Sequence, residues 1–377
     1  MKVVMTGGGT AGHVNPALSI AGIIKKYDPS AEIEFIGTKR GIEYKLVPRN
    51  GYKLHRILVM GLKRSLSPKN IAAAICAGTS YVRSKALLSK IKPDIVVGTG
   101  GYVSWPVVKA ASKLGIPCAL HEANAVPGFA VKMLRNEADA IFVNFEETGK
   151  YLQSEKSEII HTGMPINALF RTLSREKARK DLGIEGKYKY AILSFGGSLG
   201  AKSINNAVID FMDSYVSKHP EICHIHSAGS KNNEGVFKKF KEKGLDKYPN
   251  CKLVEYIYDM PAQMLASDIV ICRSGASTLA ELASIGKPSV LIPSPNVTND
   301  QQYKNAKLLA DSNAAIVMRD SEMTAERLEK EISCVLEDPA RLAKMSKNVK
   351  RFSVEDGDKI IYNKIKELAE RKNKGMQ

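Results

Sequence analysis

Residues 3–13 read VVMTGGGTAGH and residues 192–203 read ILSFGGSLGAKS. Each stretch is an apolar strand that ends in clustered glycines and runs into a helix, so each offers unpaired backbone N–H groups at a helix start, the arrangement that receives phosphate. Two such units in one chain predict two nucleotide-binding-type domains. Working outward from the first turn, KVVMT, EIEFIG, KLHRI, DIVVGTG, PCALHE, AIFVN and EIIHTG are short apolar runs separated by helical stretches. Around the second turn the theme returns in YAILSFGG, ICHIHSAG, KLVEYI, DIVICRS, SVLIP and AAIVM. Near-continuous apolar strands alternating with helices predict parallel sheets covered on both faces, hence an α/β chain of two doubly wound, Rossmann-like domains.

At 377 residues the chain has room for two cores. Gly163 and Pro165 break the pattern, which places the linker near Thr162–Asn167. The expected division is 1–163, 164–350 and a helical tail, 351–377, that packs back on the first domain. The six cysteines lack CxxC spacing and several sit in apolar strand patterns, as buried free thiols of a reducing cytoplasm do. Met1 leads directly into a strand pattern without a visible secretory signal, and the longest uncharged apolar stretch of the first half, Ile71–Gly78, is far below a membrane span, so neither export nor a membrane crossing is expected.

The net charge is +17, and its position says more than its size: Tyr44–Pro93 holds eleven Lys or Arg and no acid. Pro68 opens a helical pattern there with Ile71, Ile75 and Val82 on one face, flanked by Lys63, Arg64, Arg83 and Lys85. An apolar stripe rimmed by cations suits an anionic membrane surface. A nucleic-acid binder would also carry positive charge, but the segment has sparse aromatics and no RNA or DNA module. A core-facing helix with a solvated basic back is the plainer alternative.

The first turn satisfies Gly7-x-Gly9-x-x-Gly12, yet the second strand ends in Gly37–Thr38, without the carboxylate that holds a dinucleotide ribose. His13 follows that turn and is a candidate general base; a capping histidine is the alternative. Glu122 and Asn124 leave the carboxyl end of PCALHE, and Tyr102 lies in the loop after DIVV. In CRSGASTLAELASIGKP, from Cys272, a strand ends at Arg273 and a helix begins whose first turns carry Thr278 and Glu281. Its N–H groups suit a diphosphate, and a carboxylate there can accept both hydroxyls of a ribose. Gln301 and Gln302 suit sugar hydroxyls. Asp356-Gly357-Asp358 matches a DxD metal motif but reads as a turn, and His224 and His226 read as packing; no metal or cofactor is expected.

Taken in order, GGGTAGH, GTGGYVSWP, HEAN, GGSLGA and CRSGASTLAELASIGKP closely resemble the bacterial peptidoglycan glycosyltransferases that add N-acetylglucosamine to undecaprenyl-diphospho-N-acetylmuramoyl-pentapeptide. The resemblance implies the GT-B fold, with an acceptor domain and a donor domain facing a central cleft, and inverting transfer from UDP-N-acetylglucosamine. By it, Ser198 meets the donor diphosphate, Ile257 the uracil, Arg273 and Ala276, Ser277 and Thr278 the diphosphate region, Glu281 the ribose, and Gln301 and Gln302 the sugar. Thr10, Ala11, Gly12, His13, Tyr102, Glu122 and Asn124 line the acceptor side, with His13 the base and Glu122 its rival. It also implies a peripheral place on the cytoplasmic face of the membrane, beside other cell-wall synthesis proteins. Two departures stand out: Asn167 occupies the place of a linker Arg, for which Arg171 is the candidate substitute, and Ala123 replaces the commoner Gln of HEAN. Another donor or acceptor, as in a glycolipid synthase, is the alternative within the same fold.

Overall fold

The computed structural model describes residues 1–59, 69–231 and 233–374, without the side chains of 69–75 and 372–374. It resolves into two compact units, Met1–Pro165 with Val354–Gln377, and Ile166–Ser353.

The first unit is a seven-stranded parallel sheet in the order β3-β2-β1-β4-β5-β6-β7. Its strands are β1 (Lys2–Thr6), β2 (Glu32–Gly37), β3 (Lys53–Arg56), β4 (Ile95–Gly98), β5 (Cys118–Glu122), β6 (Ala140–Val143) and β7 (Glu158–His161). Between them run α1 (Ala11–Tyr27), α2 (Glu43–Arg49), α3 (Lys69–Ile91), α4 (Ser104–Lys113) and α5 (Phe129–Leu134). Alternation along the strands sends Val3 and Met5 into one core and Val4 into the other. The core under Val4 takes Leu88 and Ile91 of α3 and Val107 and Val108 of α4. On the opposite face, Val14, Ile20 and Ile24 of α1 pack with Ile361, Ile365 and Leu368 of the terminal helix Gly357–Lys374. Each of those three side chains, at most 1% exposed, contributes roughly 1.5–3 kcal/mol of apolar burial. Tyr362 stacks on Tyr27 at 5.0 Å, and Lys364 reaches Glu158 at 2.6 Å.

The second unit holds β8 (Tyr190–Phe195), β9 (Ile222–Ser227), β10 (Cys251–Val254), β11 (Ile269–Cys272), β12 (Ser289–Leu291) and β13 (Ala315–Val317), parallel and ordered β10-β9-β8-β11-β12-β13. Its helices are α6 (Leu169–Thr172), α7 (Arg175–Asp181), α8 (Lys202–Ser214), α9 (Glu234–Glu242), α10 (Met260–Ala266), α11 (Ala276–Ser284), α12 (Gln301–Asp311), α13 (Ala325–Leu336) and α14 (Pro339–Lys350). The terminal helix of the first unit, α15, follows. One core gathers Ile204, Phe211 and Met212 of α8 with Ile332 and Val335 of α13; the other gathers Ala178 of α7 with Ala262 and Leu265 of α10.

In each sheet the strand order reverses beside the first strand of the unit, between β1 and β4 and between β8 and β11. A crevice opens outside the carboxyl ends of the strands at such a switch point. Both glycine turns therefore sit where a ligand site forms.

Cys118, Cys223, Cys251 and Cys272 are buried free thiols, while Cys334 is exposed. His224 and His226 are core side chains sharing Ser194 Oγ at 2.7 and 2.8 Å, and His226 also meets Asn205. Asp356 lies in the turn before α15, and Gly357 and Asp358 are the first residues of that helix.

Candidate active site

At the first switch point, Gly7–Thr10 links β1 to α1 without a side-chain cap on the helix start. His13 stands in the first turn of α1, half-buried. Its Nδ1 lies 3.1 Å from Thr10 Oγ1, and Thr99 donates to its carbonyl at 2.6 Å. Burial holds the imidazole below its usual pKa, opposed by the Gly8 backbone and the charge of Glu43. The ring is thus neutral near pH 7 and able to take up a proton. Gly101 (φ +79) closes over it: a Cβ there would stand 2.3 Å from Gly8 O and 3.2 Å from His13 Nδ1. Tyr102 follows, 37% exposed, its hydroxyl pKa raised by burial and by Glu43.

Glu122 ends β5 with its carboxylate turned into its own loop. It accepts from Asn124 N and Nδ2 at 2.9 and 3.0 Å and from Gly128 N at 2.8 Å. Burial raises its pKa against those bonds. Both oxygens thus hold the HEANAVPG loop in shape. Thr10 immediately precedes α1 and Ala11 and Gly12 begin it, at the same sheet edge.

At the second switch point two chambers adjoin. One, about 360 Å³, is lined by Asn167, Ser198, Tyr256, Ile257, Tyr258 and Glu281 among others. The other, about 810 Å³, includes Lys202, Ser203, Asn206, Arg273, Gln302 and Asp320. Phe195, Gly197 and Thr278 line both. The starts of α8 and α11 flank the junction, and neither Ala201 nor Gly275 supplies a side-chain cap. Uncapped helix N–H groups at a cavity favour an anion. Gly200 (φ +80) permits this turn, because a Cβ on it would lie 2.0 Å from Ala228 O. Burial lifts Glu281 from an ordinary carboxyl to about 7.

The site residues expected of the second half fall on this edge, with different engagements. Ser198 is exposed and its carbonyl accepts from Ser230 N and Oγ at 3.1 and 3.0 Å. Asn167 accepts from Leu169 N at 2.9 Å, and Gln302 Oε1 from Ser294 N at 2.8 Å. Gln301 opens α12 after two left-handed residues, Asn299 (φ 62) and Asp300 (φ 53). Ala276 and Ser277 are the first residues of α11. Arg273 is not an unpaired cation: Nη1 donates to the carbonyls of Ile292 and Pro293 at 3.2 Å and to Asp320. Ser203 Oγ donates to the same Asp320 oxygen at 2.7 Å. Asp320 and Asn206 lie outside every motif of the sequence, whereas Lys202 belongs to the second glycine string and opens α8.

Of the basic stripe, Lys63 and Arg64 lie outside the described residues, as do the side chains of Ile71 and Ile75. Val82 is 65% exposed and Arg83 and Lys85 are exposed, whereas Ser80, Ser84 and Leu88 of the same helix are buried. Among the described residues no helix is long and apolar enough to cross a membrane.

A doubly wound sheet with a glycine turn at its switch point, present twice and with an anion-favouring cavity in the second copy, is the architecture of two-domain glycosyltransferases. The chain belongs to glycosyltransferase family 28, whose N-terminal domain matches residues 3–143 and whose C-terminal domain matches residues 191–361. It is 40% identical, over 100% of both chains, to a protein of Acetivibrio thermocellus named UDP-N-acetylglucosamine–N-acetylmuramyl-(pentapeptide) pyrophosphoryl-undecaprenol N-acetylglucosamine transferase. It is 39% identical, over 98% of this chain and 99% of the relative, to a Desulforudis audaxviator protein of the same name. Among solved structures, Acinetobacter baumannii MurG superposes with a TM-score of 0.80 at 26% identity, covering 97% of this chain and 99% of that one. The Neisseria meningitidis UDP-GlcNAc 2-epimerase, at 17% identity and a TM-score of 0.65 over 96% of this chain and 99% of that one, shares the fold.

Proposed function

We propose that this chain transfers N-acetylglucosamine from UDP-N-acetylglucosamine to the C4 hydroxyl of the N-acetylmuramoyl unit in undecaprenyl-diphospho-N-acetylmuramoyl-pentapeptide. The step belongs to peptidoglycan synthesis and inverts the anomeric carbon. The observation that carries the reading is the pair of chambers joined at Gly197 and Thr278, with two uncapped helix starts at the junction. Uracil enters the smaller chamber against Ile257, the ribose hydroxyls meet Glu281, and the diphosphate lies at the junction with Ser198, Ala276, Ser277 and Thr278. The N-acetylglucosamine then extends toward Gln301 and Gln302.

On the first unit, the acceptor lies against Thr10, Ala11, Gly12, Tyr102 and Asn124. His13 removes the C4 proton as that oxygen attacks; a neutral ring at a helix start suits the task. Glu122 holds the loop instead, because its oxygens already accept three bonds. Helix-terminal N–H groups stabilise charge on the departing UDP. Arg273 acts on the donor through Asp320 and the carbonyls of Ile292 and Pro293, which fixes the chamber wall.

The acid-free segment Tyr44–Pro93, with Val82, Arg83 and Lys85 exposed, docks the protein peripherally on an anionic membrane, where the lipid-linked acceptor resides. Exchange of Lys63, Arg64, Arg83 and Lys85 for Glu should abolish flotation with anionic liposomes; unchanged flotation overturns the docking.

The decisive assay is UDP release from UDP-N-acetylglucosamine with and without lipid-linked N-acetylmuramoyl-pentapeptide, in EDTA. Release that depends on the acceptor supports the reaction. Donor binding without release, with that acceptor present, overturns the choice of acceptor.

A further inference from the structure

Glu43 lies outside every motif of the two glycine turns, and it is 0% exposed. It begins α2, just past the loop that follows β2. Its Oε1 accepts from Thr38 N at 3.1 Å and Thr38 Oγ1 at 2.6 Å, and its Oε2 from Gly9 N at 3.0 Å. Thr38 Oγ1 in turn accepts from Gly41 N at 3.0 Å. One carboxylate thus bridges the loop after β2 to the glycine turn after β1, across 34 residues of sequence. The neighbouring glycines make room for it: a Cβ on Gly8 would stand 2.7 Å from Oε1, and one on Gly41 2.0 Å from Oε2. A buried carboxylate that accepts several bonds from backbone and hydroxyl donors fixes those donors in place, since losing it leaves them desolvated and unpaired.

We propose that Glu43 is a positioning residue for acceptor transfer: it sets the path of Gly8 and Gly9, and through that turn the placement of His13 and Tyr102. The inference rests on the reading of the first turn as the acceptor site. Gly9 is in left-handed conformation (φ +87), and a Cβ there would stand 2.8 Å from Tyr102 Cε1, so this turn and Tyr102 are packed with no slack. On its other side Gly8 O abuts Gly101, which closes over His13. A displaced Gly9 therefore moves both flanks of the crevice.

The test compares Glu43→Ala, Glu43→Asp and Glu43→Gln in the full-length protein. The readouts are acceptor kcat/KM, UDP binding by calorimetry and thermal melting. Glu43→Ala should lower acceptor kcat/KM by about 100-fold, the scale of a displacement near 1 Å at a reacting group. Glu43→Asp keeps the charge but is one methylene too short to span Thr38 and Gly9, and should lose about tenfold. Glu43→Gln, which keeps the length and one accepting oxygen, should recover activity above the alanine variant. All three should bind UDP as the parent does, because the donor chambers lie in the other unit. Wild-type acceptor kcat/KM in both Glu43→Ala and Glu43→Asp overturns the proposal. If Glu43→Ala does not fold, Glu43→Asp decides alone. An equal loss in folded fraction, with full activity per UDP-binding molecule, overturns it too, since that is a purely structural role. The underlying reading fails separately, by a His13→Ala variant with normal turnover.

Discussion

The two glycine turns share a strand, a switch point and a helix start, yet they are built for opposite ends. The first is closed from beneath by Glu43 and from above by Gly101, and a histidine is packed within it. The second is braced backbone against backbone, Gly200 on Ala228, and is left open to chambers of about 360 and 810 Å³. One turn packs closely around a histidine; the other preserves a volume. What surrounds a phosphate-type loop, more than its glycines, decides whether it presents a group or receives one.

The sharpest way to break this contrast is at His13. His13→Ala should reduce turnover by about 10²–10⁴-fold while UDP binding is kept, as loss of a general base does; near-normal turnover measured with saturating acceptor would remove His13 from the reaction. The second turn should fail in another manner. Gly200→Ala forces a side chain into left-handed backbone and onto Ala228 O. It should cost at least about 2 kcal/mol and weaken UDP binding and the melting of the second unit together. Unchanged melting would show that this turn has slack.

Asp320→Asn sharpens the comparison further, because it removes the charge of the carboxylate that Arg273 and Ser203 share without touching the turn. Donor KM should rise about tenfold with acceptor KM unchanged, in line with a charge-assisted bond of roughly 1.5 kcal/mol.

The smallest effect is in pH. Burial lifts Glu281 to about 7. The folded protein therefore holds a proton there that the unfolded chain gives up above its ordinary carboxyl range, and stability falls as pH rises from about 4.5 to about 7. A ribose that donates two hydroxyls to the ionised form reverses that loss. UDP binding should be up to about tenfold weaker at pH 6 than at pH 8, with a smaller thermal shift, and Glu281→Gln should flatten the dependence. A pH-independent shift in the parent would take Glu281 off the ribose.

Much of this was legible in the sequence because it is local. The apolar runs mark every strand of both sheets, and each glycine turn announces its own helix start. The candidate His13, Glu281 and Gln302 lie within or just beyond such strings. The rest depends on contacts across sequence that carry no spacing. Glu43 meets Gly9 from 34 positions away, and Asp320 meets Arg273 from 47. A signal for Glu43 was present: it is the last acid before fifty acid-free residues, and it is preceded by Gly37 and Gly41. Glu122 and Arg273 show the complementary limit. Their residue types fit a base and a phosphate ligand, but a sequence does not reveal that a charge is already engaged by its neighbours.

The helix α15 has a consequence for how the molecule is made. The first unit opens with Met1–Pro165, but its core on the α1 face is completed only by Ile361, Ile365 and Leu368, so it stays unfinished on the ribosome while all of Ile166–Ser353 is synthesised. The inserted unit can close on its own first, and Val14, Ile20 and Ile24 wait with an uncovered face. In translation, the unit encoded first is the last to be sealed, and that interval is when a nascent chain is most open to chaperone capture or mispairing.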